Sequence, residues 1–151
     1  MVNKQMICYT VSKYDNNVAA HNEWTDYSDI GKVFDGKKLT INEYLSVEQR
    51  YIDFVFDIMN LSEVSALSLN ELEAYENIKW CENQIINALE VPEVMRDVLR
   101  NRCWCKLKGE NFCLCFGFDF YLHVKTNVDY DSLIHMCDRY GLFIKEKVNG
   151  K

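Results

Sequence analysis

Proline and glycine are scarce in this sequence. Its 151 residues include one proline, Pro92, and six glycines. Flexible linkers are rich in glycine, serine or proline, so this scarcity argues against a chain divided by a linker. No internal repeat is present either. With a hydrophobic fraction of 48%, the chain can bury one sizeable core. We therefore predict a single domain over residues 1–151.

Long hydrophobic runs are also missing. No apolar run approaches the roughly 20 residues that span a bilayer, and the opening MVNKQMICYTVSKYD lacks the apolar core of a signal peptide. We therefore expect a cytoplasmic protein that does not bind membranes. In that reducing compartment the seven cysteines are expected to be free thiols. An exported disulfide protein is the alternative.

Positive charge is in deficit. The formal net charge is −6, which argues against a nucleic-acid-binding protein because such proteins carry a basic stripe. It argues equally against binding to an anionic membrane surface. An acidic surface suits either simple solubility or a basic protein partner.

Catalytic motifs are absent. The sequence has no G-x-S-x-G, no phosphate-binding loop and no G-x-G-x-x-G, and its histidines, His21, His123 and His135, fall in no metal-ligand spacing. We therefore predict no catalytic residues and no cofactor. Catalytic groups can also assemble from distant segments, so a small enzyme stays open as an alternative.

The residues that are present predict a mixture of helices and strands. We expect strands over residues 5–12, 63–69 and 142–148, a hairpin over 103–124, and helices over 28–34, over 40–60, from Pro92 onward and after Asp129 or Asp131. The acidic stretch NELEAYENIKWCEN between the second strand and Pro92 is expected to be an exposed loop or short helix. The predicted fold is α+β, a mainly antiparallel sheet with a central β-hairpin and helices on one face.

The helix over residues 40–60 carries the strongest signal. Thr40 and Glu43 have the T-x-x-E spacing of a capping box. An unusually wide apolar stripe follows, which is typical of a helix packed on a sheet. The residues that recur at helical spacing are Tyr44, Val47, Glu48, Tyr51, Val55, Ile58 and Met59, and the stripe is widened by Leu45, Ile52, Phe54 and Phe56.

Four cysteines lie close together in CWCKLKGENFCLC, residues 103–115. Side chains alternate across a strand, so the parity of the hairpin decides which thiols can meet. A two-residue turn at Gly109-Glu110 places Cys103 and Cys105 on the apolar face. It turns Cys113 and Cys115 to the other face and keeps the neighbouring lysines out of the core. We therefore predict no metal site and interpret these cysteines as small hydrophobic residues.

Asp119 is the most unusual residue of the hairpin. It stands among aromatic residues in FGFDFY, and the alternation puts it with Tyr121 and His123 on the face away from the core. A face that carries a carboxylate and tyrosine can bind a protein partner. The same three residues would serve the alternatives, a small cytosolic enzyme or a ligand-binding regulatory domain. A solvated or helix-covered sheet face is the remaining interpretation.

Two stretches resemble a known group of proteins. NEWTDYSDIGKVFDGKKLTINEYLSVEQRYI, residues 22–52, and WCKLKGENFCLCFGFDFYLHV, residues 104–124, followed by YGLFIKE, resemble the two halves of bacterial immunity proteins. Such proteins belong to polymorphic-toxin loci, including those of contact-dependent growth inhibition. The segment 61–90 does not contribute to the resemblance.

The resemblance implies a non-catalytic protein that neutralises a co-encoded toxin by covering its active site. An acidic immunity protein implies a basic toxin domain, often a nuclease, and a heterodimer of the two. No toxin-contacting residue follows from the resemblance itself. Charge and exposure suggest two candidate surfaces, namely Asp119 with Tyr121, and the acidic segment that carries Glu71, Glu73, Glu76 and Glu82.

Overall fold

A computed structural model describes residues 5–17, 22–117 and 119–146, so His21 and Phe118 lie outside the described residues. Within these residues the chain forms nine strands, three α-helices and one 3₁₀ turn. The strands are β1 Ile7–Ser12, β2 Val33–Phe34, β3 Lys37–Lys38, β4 Ala66–Ala74, β5 Ile85–Asn87, β6 Cys103–Gly109, β7 Phe112–Phe116, β8 Leu122–Thr126 and β9 Phe143–Glu146. The helices are α1 Ile41–Leu61, α2 Val91–Leu99 and α3 Tyr130–Tyr140, and the 3₁₀ turn is Tyr27–Asp29.

Seven strands form one antiparallel sheet in the order β5-β4-β6-β7-β8-β1-β9, and β2 pairs with β3 in a separate hairpin. The three helices pack on one face of the large sheet, over the buried core. The β6–β7 hairpin lies at the centre of the sheet. The predicted α+β fold, a mainly antiparallel sheet with a central hairpin, is therefore confirmed.

Helix α1 begins where the sequence predicts. The hydroxyl oxygen of Thr40 accepts the backbone N–H of Glu43 at 3.1 Å, which satisfies one donor of the first turn. Most side chains of the predicted apolar stripe are buried. Leu45 and Phe56, which the prediction included, are each 41% exposed and do not belong to the buried face. None of the described helices combines the length and apolar character needed to cross a membrane.

The other two helices also follow their local signals. Pro92 lies in the first turn of α2, where its missing N–H costs no hydrogen bond. Asp129, rather than Asp131, caps α3 by accepting the N–H of Ser132 at 3.0 Å. Gly141 ends α3 with a φ of 67°, a left-handed conformation that glycine adopts without strain.

Two segments differ from the predicted elements. The helix predicted over residues 28–34 is only the 3₁₀ turn, and the chain then enters β2 at Val33. The strand predicted over residues 63–69 is β4, which continues to Ala74 through the first five residues of the acidic stretch. Its pairing with β6 explains this extension, because cross-strand hydrogen bonds and packing override weak local preference.

The β6–β7 turn is displaced by one residue from its predicted place. Gly109 pairs with Phe112, so the turn is Glu110-Asn111, and Leu107 lies opposite Leu114. A Cβ atom on residue 109 would come within 2.8 Å of Leu67 Cδ2, so a larger residue here would require the Leu67 side chain to shift. Asn111, with a φ of 57°, tolerates the turn conformation. Relative to the predicted pairing, each residue of β6 lies opposite a β7 residue two positions further along. A shift of two leaves the same side chains facing the core.

The segment after Phe116 is a second hairpin rather than one continuing strand. Strand β7 ends at Phe116, which pairs with Leu122, the first residue of β8. Asp119 therefore lies in the connecting turn and not on a sheet face. The predicted placement of Asp119 on the same strand face as Tyr121 and His123 is wrong for this reason.

Candidate partner-binding cleft

Strand β4 carries a bulge at the start of the acidic segment. Its pairing with β6 shifts between Asn70 and Glu73, and Glu71 has a φ of 56°. The carboxylate of Glu82 accepts both freed backbone donors, the N–H of Glu71 at 3.0 Å and that of Leu72 at 2.7 Å. Two charge-assisted hydrogen bonds hold the bulge. Glu82, which the sequence predicts to bind a partner, therefore stabilises the bulge of β4.

Two other glutamates of the segment form ion pairs within the chain. Glu71 lies 2.8 Å from Lys106 Nζ, and this hydrogen bond raises the pKa of the lysine. Glu76 lies 3.6 Å from Arg102 Nε, and Arg102 also pairs with Asp97 at 3.2 Å. Such exposed pairs stabilise the fold little, and they reduce the net charge that these glutamates present to a partner.

Glu73 differs from the other three glutamates. It lies opposite Trp104 of β6, its side chain is exposed, and no described residue forms an ion pair or hydrogen bond with its carboxylate. Its negative charge is therefore presented to solvent without a neutralising partner.

The turn between β7 and β8 holds the second predicted carboxylate. Asp119 and Phe120 have φ values of 61° and 67°, a left-handed conformation that costs about 1–3 kcal/mol for residues other than glycine. The Phe120 ring is buried and meets Trp24 edge-on at 5.1 Å. These contacts hold a strained turn with Asp119 exposed at its tip.

Glu73 and Asp119 lie on the border of the same cleft, which has a volume of about 440 Å³. The cleft forms where β4 leaves the sheet, where α2 ends and where the β7–β8 turn folds over. Its lining residues are Thr25, Asp26, Glu73, Tyr75, Val98, Leu99, Asn101, Cys103, Trp104, Phe116, Gly117, Asp119 and Phe120. One residue from each of the two predicted surfaces therefore meets at one concave site.

Aromatic side chains form much of the wall. Tyr75 is 60% exposed, and the half-buried Trp104 donates its Nε1–H to the carbonyl oxygen of Phe116 at 2.7 Å. That hydrogen bond fixes the plane of the indole. The rings thus give the cleft an apolar surface beneath the carboxylates.

Asp26 adds a third carboxylate, from the 3₁₀ turn. Its Oδ1 accepts the side-chain N–H of Asn101 at 2.8 Å, and its other oxygen accepts the backbone N–H of Ser28 at 2.9 Å. Burial acts to raise the pKa of Asp26, but the hydrogen bonds from Ser28 and Asn101 outweigh it and lower that pKa below its usual value. Asp26 is therefore ionised at neutral pH and ties the 3₁₀ turn to Asn101, the second residue after α2.

Tyr121 and His123 are not among the described residues that line this cleft, but His123 lies against one of them, because a Cβ atom on residue 117 would come within 2.6 Å of its Nε2. Tyr121 is 37% exposed and packs against Tyr14, with ring centroids 5.3 Å apart. His123 lies on the sheet face opposite the helices, where its Nδ1 is 3.3 Å from Thr10 Oγ1. Of the three residues that the sequence placed on one face, only Asp119 lines the cleft, although its charge still reaches Tyr14, the ring on which Tyr121 packs.

The four hairpin cysteines are divided between the two faces of the sheet, as the alternation of side chains along the strands predicts. Cys103 and Cys105 are buried beneath the helices, whereas Cys113 and Cys115 are half-buried on the opposite face. Burial raises the pKa of Cys103 to about 11 and that of Cys105 to about 12, so both thiols stay protonated. Over the described ranges no group of three His, Cys, Asp or Glu side chains could hold a metal ion. The predicted absence of zinc itself awaits measurement.

Sequence reasoning missed the residues that complete the cleft. Tyr75 interrupts an acidic stretch, and Trp104 shares a strand face with two lysines, which are weak signals of an aromatic site. Asn101, with a φ of 64°, is the second residue after α2. These residues meet only through the packing of β4, β6 and α2.

No protein-family model matches this chain, and no similar protein was found among curated sequences or solved structures.

Proposed function

We propose that this protein is an immunity protein that binds a basic toxin domain as a heterodimer and occludes the toxin's active site. The observation that carries the proposal is the meeting of Glu73 and Asp119 on one aromatic-lined cleft. Both carboxylates are exposed, and neither has an ion-pair partner among the described residues.

Charge is the first argument for a basic partner. A net charge of −6 attracts a basic domain over a distance, and unpaired rim carboxylates direct it to one place. Glu71 and Glu76 sit nearby, but Lys106 and Arg102 already neutralise them locally. We therefore assign the docking role to Glu73 and Asp119 ahead of the rest of the acidic segment.

Shape is the second argument. The cleft combines exposed Tyr75, half-buried Trp104 and buried Phe120 with a polar border. Aromatic residues in a concave patch are typical of the energetic centre of protein interfaces. Tyr121 lies on the neighbouring Tyr14 and would extend the contact beyond the cleft.

A ligand-binding regulatory domain is the second candidate. It is favoured by the volume of about 440 Å³, which falls within the range of small-molecule sites. The small enzyme built on Asp119, Tyr121 and His123 receives less support, because Tyr121 and His123 are not among the described residues that line the cleft.

The test is association with the toxin domain encoded beside the gene, measured by stopped-flow or surface plasmon resonance. Reversing both cleft charges, with Glu73→Lys and Asp119→Lys, should slow association about tenfold and weaken its salt dependence. Glu110→Lys is the matched control for a single reversal. It lies in the β6–β7 turn, at the other end of the hairpin from the cleft.

Two results would count against the proposal. An association rate unchanged by both reversals would show that another surface binds, and Glu71→Lys with Glu76→Lys would then locate it on the acidic segment. If no toxin from the locus binds at all, the immunity function itself is wrong.

A further inference from the structure

The cleft has the features of a socket for one long cationic side chain. We infer that it receives a single arginine of the bound partner, and this inference rests on the proposed function of the same site. The side chain would enter between Glu73 and Asp119 and lie against the aromatic wall. It would act as the anchor of the interface.

The charges of the lining select a cation. Three described lining residues, Asp26, Glu73 and Asp119, are acidic, and none of the described lining residues is Lys, Arg or His. Two cations near the lining already have partners outside it, since Arg102 is bound to Asp97 and Glu76, and Lys32, whose charge acts on Asp26, is bound to Asp29. A partner's positive side chain therefore meets negative charge without displacing a resident one.

The aromatic wall favours arginine over lysine. A guanidinium is planar, so it can stack on a ring while its N–H groups bind a carboxylate in a bidentate manner. Tyr75 is exposed enough to offer its ring, and Trp104 is held in place by its bond to Phe116. An ammonium is more strongly hydrated and gains less from this arrangement.

The socket is held in place before a partner arrives. The Phe120 carbonyl oxygen accepts a hydrogen bond from the Tyr51 hydroxyl at 2.8 Å, which fixes the residue next to Asp119. On the other side, Asn101 is bound to Asp26 at 2.8 Å. Because little has to be ordered on binding, more of the contact energy is available as affinity.

The first experiment uses the intact protein and a small probe, N-acetyl-arginine amide. Binding is followed by nuclear magnetic resonance, through the indole N–H signal of Trp104, assigned with Trp104→Phe. We expect a saturable shift with a dissociation constant of about 1 mM, given the size of the probe. The neutral isostere N-acetyl-citrulline amide should bind at least tenfold more weakly.

Two mild substitutions test the carboxylates. Glu73→Gln and Asp119→Asn remove charge while keeping shape, and asparagine tolerates the positive φ at residue 119. Each should weaken the arginine probe several-fold, whereas Glu110→Gln should not. If Asp119→Asn has a lower melting temperature than the parent, the role of the carboxylates is judged from the binding of the arginine probe to Glu73→Gln alone. Equal binding of the arginine and citrulline probes would overturn the inference. So would probe-induced changes in chemical shift that do not include the indole N–H of Trp104.

A second experiment separates this inference from the proposed function. Each arginine of the cognate toxin is replaced by alanine and combined with Asp119→Asn in a double-mutant cycle. One arginine should couple with Asp119 by a factor of about tenfold in affinity. A toxin that binds tightly with no coupled arginine refutes the socket and leaves the immunity function standing. A probe that binds while no toxin does refutes the immunity function and supports the socket.

Discussion

The hydroxyl of Tyr51, in the middle of α1, joins two segments that are far apart in the sequence. It donates a hydrogen bond to the carbonyl oxygen of Phe120 at 2.8 Å and accepts the backbone N–H of Lys13 at 2.8 Å. Tyr51 itself is fully buried. One phenol thus supports both the end of β1 and the strained turn that presents Asp119.

Tyr51→Phe should therefore destabilise the fold by about 1–3 kcal/mol, because it leaves a buried carbonyl and a buried N–H without partners. Urea denaturation measures the loss. Tyr130→Phe is the control, since Tyr130 is 39% exposed and should change stability by less than about 0.5 kcal/mol. Tyr51→Ala should cost more than Tyr51→Phe, since it also leaves a cavity. Equal stability of Tyr51→Phe and the parent would contradict the role assigned to the hydroxyl.

Two neighbouring residues of α1 should respond in opposite ways to the same change. Val55 is 0% exposed and Phe56 is 41% exposed. Val55→Asp buries a charge and should unfold the protein or lower its melting temperature sharply. Phe56→Asp should leave the melting temperature within a few degrees. Similar melting curves for the two variants would show that the helix does not bury the face described above.

Glu48 should be essential for stability although it is charged. It is 2% exposed and binds Arg100 at 2.7 Å and the Tyr44 hydroxyl at 2.7 Å, so it links α1 to the residue after α2. Glu48→Gln removes the charge that balances Arg100 and should cost about 3 kcal/mol. Chemical denaturation beside Glu110→Gln, an exposed control, measures it. A loss no larger than that of the control would refute the assignment.

Alkaline pH should destabilise the fold through its buried thiols. Burial raises the pKa of Cys105 to about 12 and that of Cys137 to about 12, from 9.0 for a free thiol. A raised pKa means that the folded state holds the proton more tightly. The stabilisation is therefore complete below about pH 9 and is lost as the pH rises towards 12. Melting temperatures between pH 8 and 11 should fall less steeply for Cys105→Ala than for the parent.

The protein should contain no stoichiometric zinc. Cys103 and Cys105 lie under the helices and Cys113 and Cys115 on the opposite face, so the four thiols cannot converge on one ion. Metal analysis after purification without chelator checks this. About one zinc per chain, lost on replacing Cys105 and Cys113, would show that the strand faces are assigned wrongly.

Local signals were enough to predict part of the candidate site. Glu73 was recognised because it lies in a stretch too polar to be buried, and Asp119 because a carboxylate among aromatic residues is unusual. Their convergence could not be predicted, because it depends on how the end of β4 packs against the β7–β8 turn. For the same reason the sequence did not predict that Glu82 accepts hydrogen bonds from the backbone N–H groups of the β4 bulge.

The sequence by itself determined which side of the β6–β7 hairpin faces the core and where α1 begins. The direction of side chains repeats every two residues in a strand and every 3.6 residues in a helix, and a helix cap depends on residues three or four apart. Both are therefore determined by the local sequence. The parity of the cysteines and the cap at Thr40 are of this kind.

The tertiary structure alone decided register and assembly. Gly109 pairs with Phe112 and lies against Leu67 of β4, with the hairpin turn at Glu110-Asn111, and Tyr51 holds Phe120, the residue next to Asp119. Both effects join residues about 40 to 70 positions apart, because steric exclusion and buried hydrogen bonds act between whatever the fold brings together. The cleft between Glu73 and Asp119 exists for that reason.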